Sequence, residues 1–143
     1  MRETLFHLAF PVSNLEETKI FYQDQLGCEL GRESKHSLIF NLGGHQIVAQ
    51  LTSEPLTHQR GIYPRHLGLI FLEFKEWEAF LNRAQKHQLL FFQEAKVRYP
   101  NTPLEHHTFF LKDPSFNLLE FKFYKNRSAI FGETSFQAVG DAR

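Results

Sequence analysis

The chain has 143 residues, room for one domain or two small modules packed as one. A 42% hydrophobic and 22% charged composition suits a globular chain, and sixteen phenylalanines make its core aromatic-rich. Sixteen Lys and Arg balance sixteen Asp and Glu, which leaves no basic field to hold a phosphate backbone and excludes nucleic acid as a partner.

Cys28 is the single cysteine and cannot form an intrachain disulfide, which fits a reducing compartment. No stretch approaches the ~20 apolar residues of a membrane span, and MRETLFHLAF lacks the build of a signal peptide. A cytoplasmic protein without membrane contact is expected.

In chain order, LFHLAF (5–10) reads as a short strand. Ser13-Asn14-Leu15-Glu16 has the capping-box pattern that opens a helix, and Leu15, Thr18, Phe21, Tyr22, Gln25 and Leu26 follow at helical spacing up to Gly27. Three strand-like segments come next, 28–33, 37–42 and 45–51, with Gly43-Gly44 as the turn between the last two. TSEPLTHQRGIYPR has the character of a linker. HLGLIFLEF (66–74) is a strand, and KEWEAFLNRAQKHQ (75–88) is a helix with Trp77, Phe80, Leu81 and Ala84 on one face, which assigns Trp77 to the core. Residues 89–99 read as a strand or a broken pair, and 106–112 and 117–124 as strands joined by an Asp113-Pro114-Ser115-Phe116 turn.

Both halves are therefore strand–helix–strand–strand–strand. The first opens with His7 and closes on Gln50; the second opens with His66 and closes on Glu120. A repeat that matches elements and also places a potential ligand at the same two points is harder to attribute to chance than either match alone.

Alternation along strands assigns faces. His7 and Ala9 oppose Phe6, Leu8 and Phe10, and His66 and Gly68 oppose Leu67 and Leu69. Glu120 shares a face with Leu118, Lys122 and Tyr124, opposite Leu119, Phe121 and Phe123. The small Ala9 and Gly68 suggest space beside each imidazole. His7, Gln50, His66 and Glu120 then share the concave face of a curved sheet. Two neutral imidazoles and a carboxylate suit a divalent transition metal, with Gln50 as a fourth, neutral ligand. One such ion per site is expected; Fe2+ is the first choice, and Zn2+, Ni2+ or Mn2+ stay open. The competing reading is a wet concave face on which Glu120 pairs with Lys122 or an arginine.

FHLAFPVSNLEETKIFYQDQLGCELG and FFLKDPSFNLLEFKFY carry a resemblance, over roughly residues 4–125, to the vicinal oxygen chelate superfamily of glyoxalase I, extradiol dioxygenases and bleomycin-resistance proteins. Asp113, Pro114, Asn117 and Glu120 match the family's closing hairpin, whereas Phe116 stands where glycine is usual. GHQIVAQ and VRYP are similar to a branch of the superfamily that names no substrate. The resemblance implies an α+β fold, two βαβββ modules forming a curved mixed sheet around a central metal cavity. It implies a single domain over 1–143, with modules 4–51 and 65–125, linker 52–64 and tail 126–143. His7, His66 and Glu120 match the ligand positions. Gln50 falls where glyoxalase-like members place a fourth ligand and extradiol dioxygenases leave an opening. Modules of this fold pair within one chain or across a homodimer; in the second case His7 and Gln50 face His66 and Glu120 of the other copy.

The function expected is metal-dependent chemistry on a small substrate chelated through adjacent oxygens, as an extradiol-type dioxygenase or a related lyase or isomerase, with Glu120 and His107 as catalytic candidates. Arg98, Tyr99 and His45 are candidates for substrate binding at the mouth. Ile130, Phe131 and Phe136 in the tail are expected to lid the cavity or meet a partner subunit. The alternative functions are a metal-free small-molecule binder of the bleomycin-resistance kind and an interaction domain with a vestigial site.

Overall fold

The structure, a computed structural model, describes Met1 and residues 3–140; Arg2 and residues 141–143, the end of the expected tail, lie outside the described residues. The first module runs β1 (His7–Val12), α1 (Leu15–Lys19), a π-helical stretch (Ile20–Gln25), β2 (Glu29–Glu33), β3 (Ser37–Leu42) and β4 (His45–Leu51). The second runs β5 (Leu67–Phe71), α2 (Phe74–Lys86), β6 (Phe91–Arg98), β7 (His106–Lys112) and β8 (Leu118–Tyr124), and a short helix α3 (Ser128–Phe131) follows.

Each module forms a mixed four-stranded sheet, in the orders β1-β4-β3-β2 and β5-β8-β7-β6. β1 pairs parallel with β4, and β5 with β8, as a helical crossover requires. The expected α+β architecture of two βαβββ units is present. Among the described residues no ladder joins the two sheets, so within one chain they are neighbours rather than one continuous sheet.

The helix after β1 starts one residue later than the capping-box reading places it. Asn14 is the N-cap, its Oδ1 accepting from Glu17 N at 2.9 Å. Ser13 is engaged elsewhere: its backbone N–H donates to Ser115 Oγ at 3.0 Å.

One aromatic-rich core serves both modules. Phe10, Phe40 and Ile47 of the first sheet and Phe109, Leu119 and Phe121 of the second belong to a single buried cluster. Trp77 seals it from α2 and donates its indole N–H to Phe121 O at 2.9 Å. A polar knot reinforces the contact between modules. The Asp113 carboxylate accepts from the Tyr22 hydroxyl (2.7 Å), from the backbone N–H groups of Ser115 and Asn117 (both 2.8 Å) and from the Asn117 amide (2.9 Å). The Asn117 amide also donates to Pro11 O at 3.0 Å. In the same turn, Phe116 takes φ +69°, the left-handed conformation glycine adopts freely, with its ring 3.9 Å from that of His58. Because the apolar faces share one core, the polar faces of the two sheets turn away from it.

Candidate functional site

Glu120 sits in the middle of β8, opposite Phe110 of β7 and beside Gly68 of β5. Only 5% of it is exposed, so its charge needs compensation within the fold. The two carboxylate oxygens are treated differently. Oε2 accepts the Thr108 hydroxyl at 2.6 Å and Arg98 Nη1 at 3.1 Å. Oε1 faces His66 Nε2 at 3.2 Å, with Lys122 Nζ beyond hydrogen-bonding reach at 3.8 Å.

The imidazole of His66 is oriented from behind. Its Nδ1 lies 2.7 Å from Ile62 O, and because a carbonyl only accepts, Nδ1 carries the hydrogen. In the neutral ring Nε2 is then a bare lone pair pointing at a carboxylate oxygen. Two acceptors at 3.2 Å repel unless a proton or a metal ion stands between them; Lys122, 3.8 Å from Oε1, tempers the carboxylate charge without bridging the pair. The hydrogen bond to Glu120 accordingly raises the His66 pKa. Burial pushes the Glu120 carboxyl up, but His66, Lys122, Thr108 and Arg98 together outweigh it and bring it down to about 2.

Gly68 earns a different explanation from the one its size suggested. A Cβ there would lie 1.6 Å from Glu120 O, so glycine allows the backbones of β5 and β8 to approach and does not open space for a cavity.

His7 and Gln50 occupy the open polar face of the first sheet. His7 is exposed, with Nδ1 2.7 Å from Gln46 Oε1, and Gln50 is exposed near the end of β4. Among the described residues no three His, Cys, Asp or Glu side chains converge closely enough to hold a metal ion. One copy of the chain thus brings His66 and Glu120 of the four expected ligands into contact, while His7 and Gln50 are exposed on strands of the other sheet.

The other candidates separate clearly. Arg98, expected at the mouth, is buried on Glu120, with Gln93 Oε1 at 3.4 Å. His107 is on the far side of β7, its ring 5.0 Å from Phe74 and 5.2 Å from Trp77, so it packs in the core beneath α2. Its neighbour His106 faces the Glu120 side and is 3% exposed. His45 accepts from Phe6 N at 3.0 Å and lines, with His66 and Leu69, a cleft of about 310 Å³ between the modules. Tyr99 donates its hydroxyl to Gly140 O at 2.6 Å, latching the tail.

The tail forms one wall of a cavity of about 520 Å³ beside the Glu120 face, to which Ile130, Phe131 and Phe136 all contribute, Phe131 while remaining 95% exposed. Sequence reasoning did not single out Thr108 or His106. Both share strand parity with Phe110, the β7 residue opposite Glu120, and that register was the signal that could have found them.

The profile of the glyoxalase/bleomycin resistance protein/dioxygenase superfamily matches residues 4–121. A glyoxalase/bleomycin resistance protein/dioxygenase from Alicyclobacillus acidocaldarius is 34% identical; the match covers 92% of this chain and 100% of that one, with a TM-score of 0.86. The fosfomycin resistance protein FosX from Listeria monocytogenes shares the fold at 16% identity, covering 90% and 99% of the two chains with a TM-score of 0.69. FosX from Mesorhizobium loti does so at 15%, covering 86% and 93% with a TM-score of 0.63. No significant match is found among curated proteins.

Proposed function

Because this chain belongs to the glyoxalase/bleomycin resistance protein/dioxygenase superfamily, we propose that it is a metal-dependent enzyme whose site is completed by two copies. His66 and Glu120 of one copy and His7 of the second are its ligands for one divalent cation, with the neutral amide of Gln50 beside the fourth position, which it leaves to substrate. The observation that carries this reading is the facing pair of acceptors, His66 Nε2 and Glu120 Oε1 at 3.2 Å, each fixed from behind.

That pair fits a metal. Ile62 O sets the His66 tautomer that leaves Nε2 free to ligate, and Thr108 and Arg98 occupy Oε2 so that Oε1 is the oxygen offered. Outer partners of this kind orient ligands and fix their protonation state. The superfamily's common use of a divalent metal supports the same reading. Held there, such an ion would supply Lewis acidity to a substrate chelated through adjacent oxygens. Glu120 is the one carboxylate assigned to the ligand set, and the amide of Gln50 makes a poor proton acceptor. An extradiol-type dioxygenase with Fe2+ is therefore preferred to a glyoxalase-type isomerase, which needs a carboxylate base. The substrate is a small molecule and the working unit is a homodimer.

Arg98 favours a second reading. Its ion pair compensates Glu120 without any metal, as in a small-molecule binder that uses the fold for sequestration. Anaerobic purification with elemental analysis, followed by oxygen uptake with catechols, separates the two. Stoichiometric divalent metal that is lost in Glu120→Ala and kept in Lys122→Ala supports the enzyme; a protein free of metal in every preparation, unable to bind added Fe2+ or Zn2+, overturns it.

A further inference from the structure

The cavity of about 520 Å³ between the second sheet and the tail is lined by His106, a side chain with a buried polar atom that has nothing to bond to. His106 is 3% exposed, and its Nδ1 lies 2.9 Å from Leu104 O, which only accepts and so fixes the hydrogen on Nδ1. Nε2 is left as an acceptor, buried and with no hydrogen-bond partner. Buried acceptors in native folds are satisfied, because leaving one unmet is costly. Something that enters this cavity with a donor group completes it.

The same cavity holds a cation. Lys122 lines it, and its Nζ is 3.8 Å from Glu120 Oε1, too far for a hydrogen bond to a carboxylate already held by Thr108, Arg98 and His66. Around them the lining combines rings with aliphatic residues of the tail: the His106 ring lies 4.8 Å from Tyr124 and 6.2 Å from Tyr99, and the one carboxylate in the lining, Glu133, accepts from the Ser128 hydroxyl at 2.8 Å. A planar molecule bearing an anionic group for Lys122 and a hydroxyl to donate to His106 matches this wall in shape, charge and hydrogen-bond sense.

We propose that this cavity is a ligand pocket separate from the chelation site and that its ligand class is a small hydroxylated aromatic carboxylate, gripped by Lys122 at the carboxylate and by His106 Nε2 at the hydroxyl. The pocket goes beyond the metal-enzyme reading and does not rest on it, because the grip uses neither His7 nor Gln50 and takes both oxygen groups of the ligand. Lys122 connects the two regions, since it borders both the cavity and Glu120. His106 is a binding residue here; the adjacent His107 is not.

Calorimetric titration with 2-, 3- and 4-hydroxybenzoate, and with benzoate as the control lacking the hydroxyl, tests it on protein with and without added Zn2+. At least one hydroxybenzoate is expected to bind more tightly than benzoate. Lys122→Met is expected to weaken both by roughly tenfold or more, as loss of a charged hydrogen bond does. His106→Phe, which keeps a ring against Tyr124, is expected to abolish the preference for the hydroxylated compound while leaving benzoate binding in place. Binding that persists in metal-free protein supports the pocket even if the metal reading fails. Failure of all three hydroxybenzoates to bind folded, metal-loaded protein overturns the pocket while leaving the metal reading standing. Unchanged affinity in Lys122→Met, or unchanged preference in His106→Phe, also overturns it.

Discussion

Arg98, the last residue of β6, reaches past β7 to place Nη1 3.1 Å from Glu120 Oε2 in β8, and each side chain is only 5% exposed. Truncating one member of such a pair leaves the other charged and buried. Arg98→Met is therefore expected to cost about 3–5 kcal/mol, with Glu120→Gln in the same chain recovering part of the loss. Urea unfolding of the two single variants and the double variant measures the coupling.

Thr108 acts on the same carboxylate oxygen at lower electrostatic cost. Thr108→Val keeps the shape and removes the hydroxyl that holds Oε2 at 2.6 Å. Metal affinity is expected to fall by about 10–100-fold, the usual effect of losing an outer partner, with secondary structure unchanged. Competition titration with a chromophoric chelator reads this.

The ion pair makes the stability of metal-free protein depend on pH in two places. The Glu120 carboxyl is held at about 2 against an ordinary 4.5, so its contribution is complete above 4.5 and is lost as pH falls from there toward about 2. The His66 pKa is raised above 6.5, so its contribution is complete below 6.5 and is lost as pH rises through the raised value. The stability gap between wild type and Glu120→Gln is expected to be widest between these two limits. Denaturant midpoints of both proteins across the acid and neutral ranges check it; a gap independent of pH contradicts the pairing.

Phe116 offers a backbone test. At φ +69° an L-residue carries a cost that glycine escapes, yet the Phe116 ring also stacks on His58. Phe116→Ala keeps the cost and loses the stack, whereas Phe116→Gly loses both. The glycine variant is expected to be about 1 kcal/mol more stable than the alanine variant, measured by thermal or denaturant unfolding.

Cys28 is 7% exposed, and burial pushes its thiol up to about 12, so little thiolate forms at neutral pH. Alkylation by iodoacetamide is expected to be slow in the native protein and fast after unfolding. Equal rates would place Cys28 outside the core.

The doubled architecture was legible because each element carries its own signal: alternation of Glu120–Phe123 in β8, the Trp77–Ala84 stripe in α2, Gly27 after the first helix and Gly43-Gly44 between strands. Glu120 was legible as well, since a carboxylate on a strand backed by Leu119, Phe121 and Phe123 needs a partner. Its partners were harder to read. Arg98 and Thr108 reach it across strands, and cross-strand register comes from sheet assembly rather than from local sequence. The His106–His107 pair shows the same limit: adjacent histidines on a strand face opposite ways, and choosing the first residue of the pair over the second depends on the register of β7 with β8. Gly68 was noticed for its size, but the close approach of β8 that requires it is a tertiary fact. That His7 and Gln50 belong to one sheet while Glu120 belongs to another is likewise a fact of assembly, which no single element reveals.

The composite site is tested most directly by mixing two inactive halves. His7→Ala and Glu120→Ala chains, each folded and each depleted of metal, are unfolded, combined and refolded together. If two copies share each site, half the dimers are mixed and each mixed dimer contains one intact ligand set, so about a quarter of the wild-type metal is expected to return. No recovery in a sample shown by native mass spectrometry to contain mixed dimers would contradict a site built from both copies.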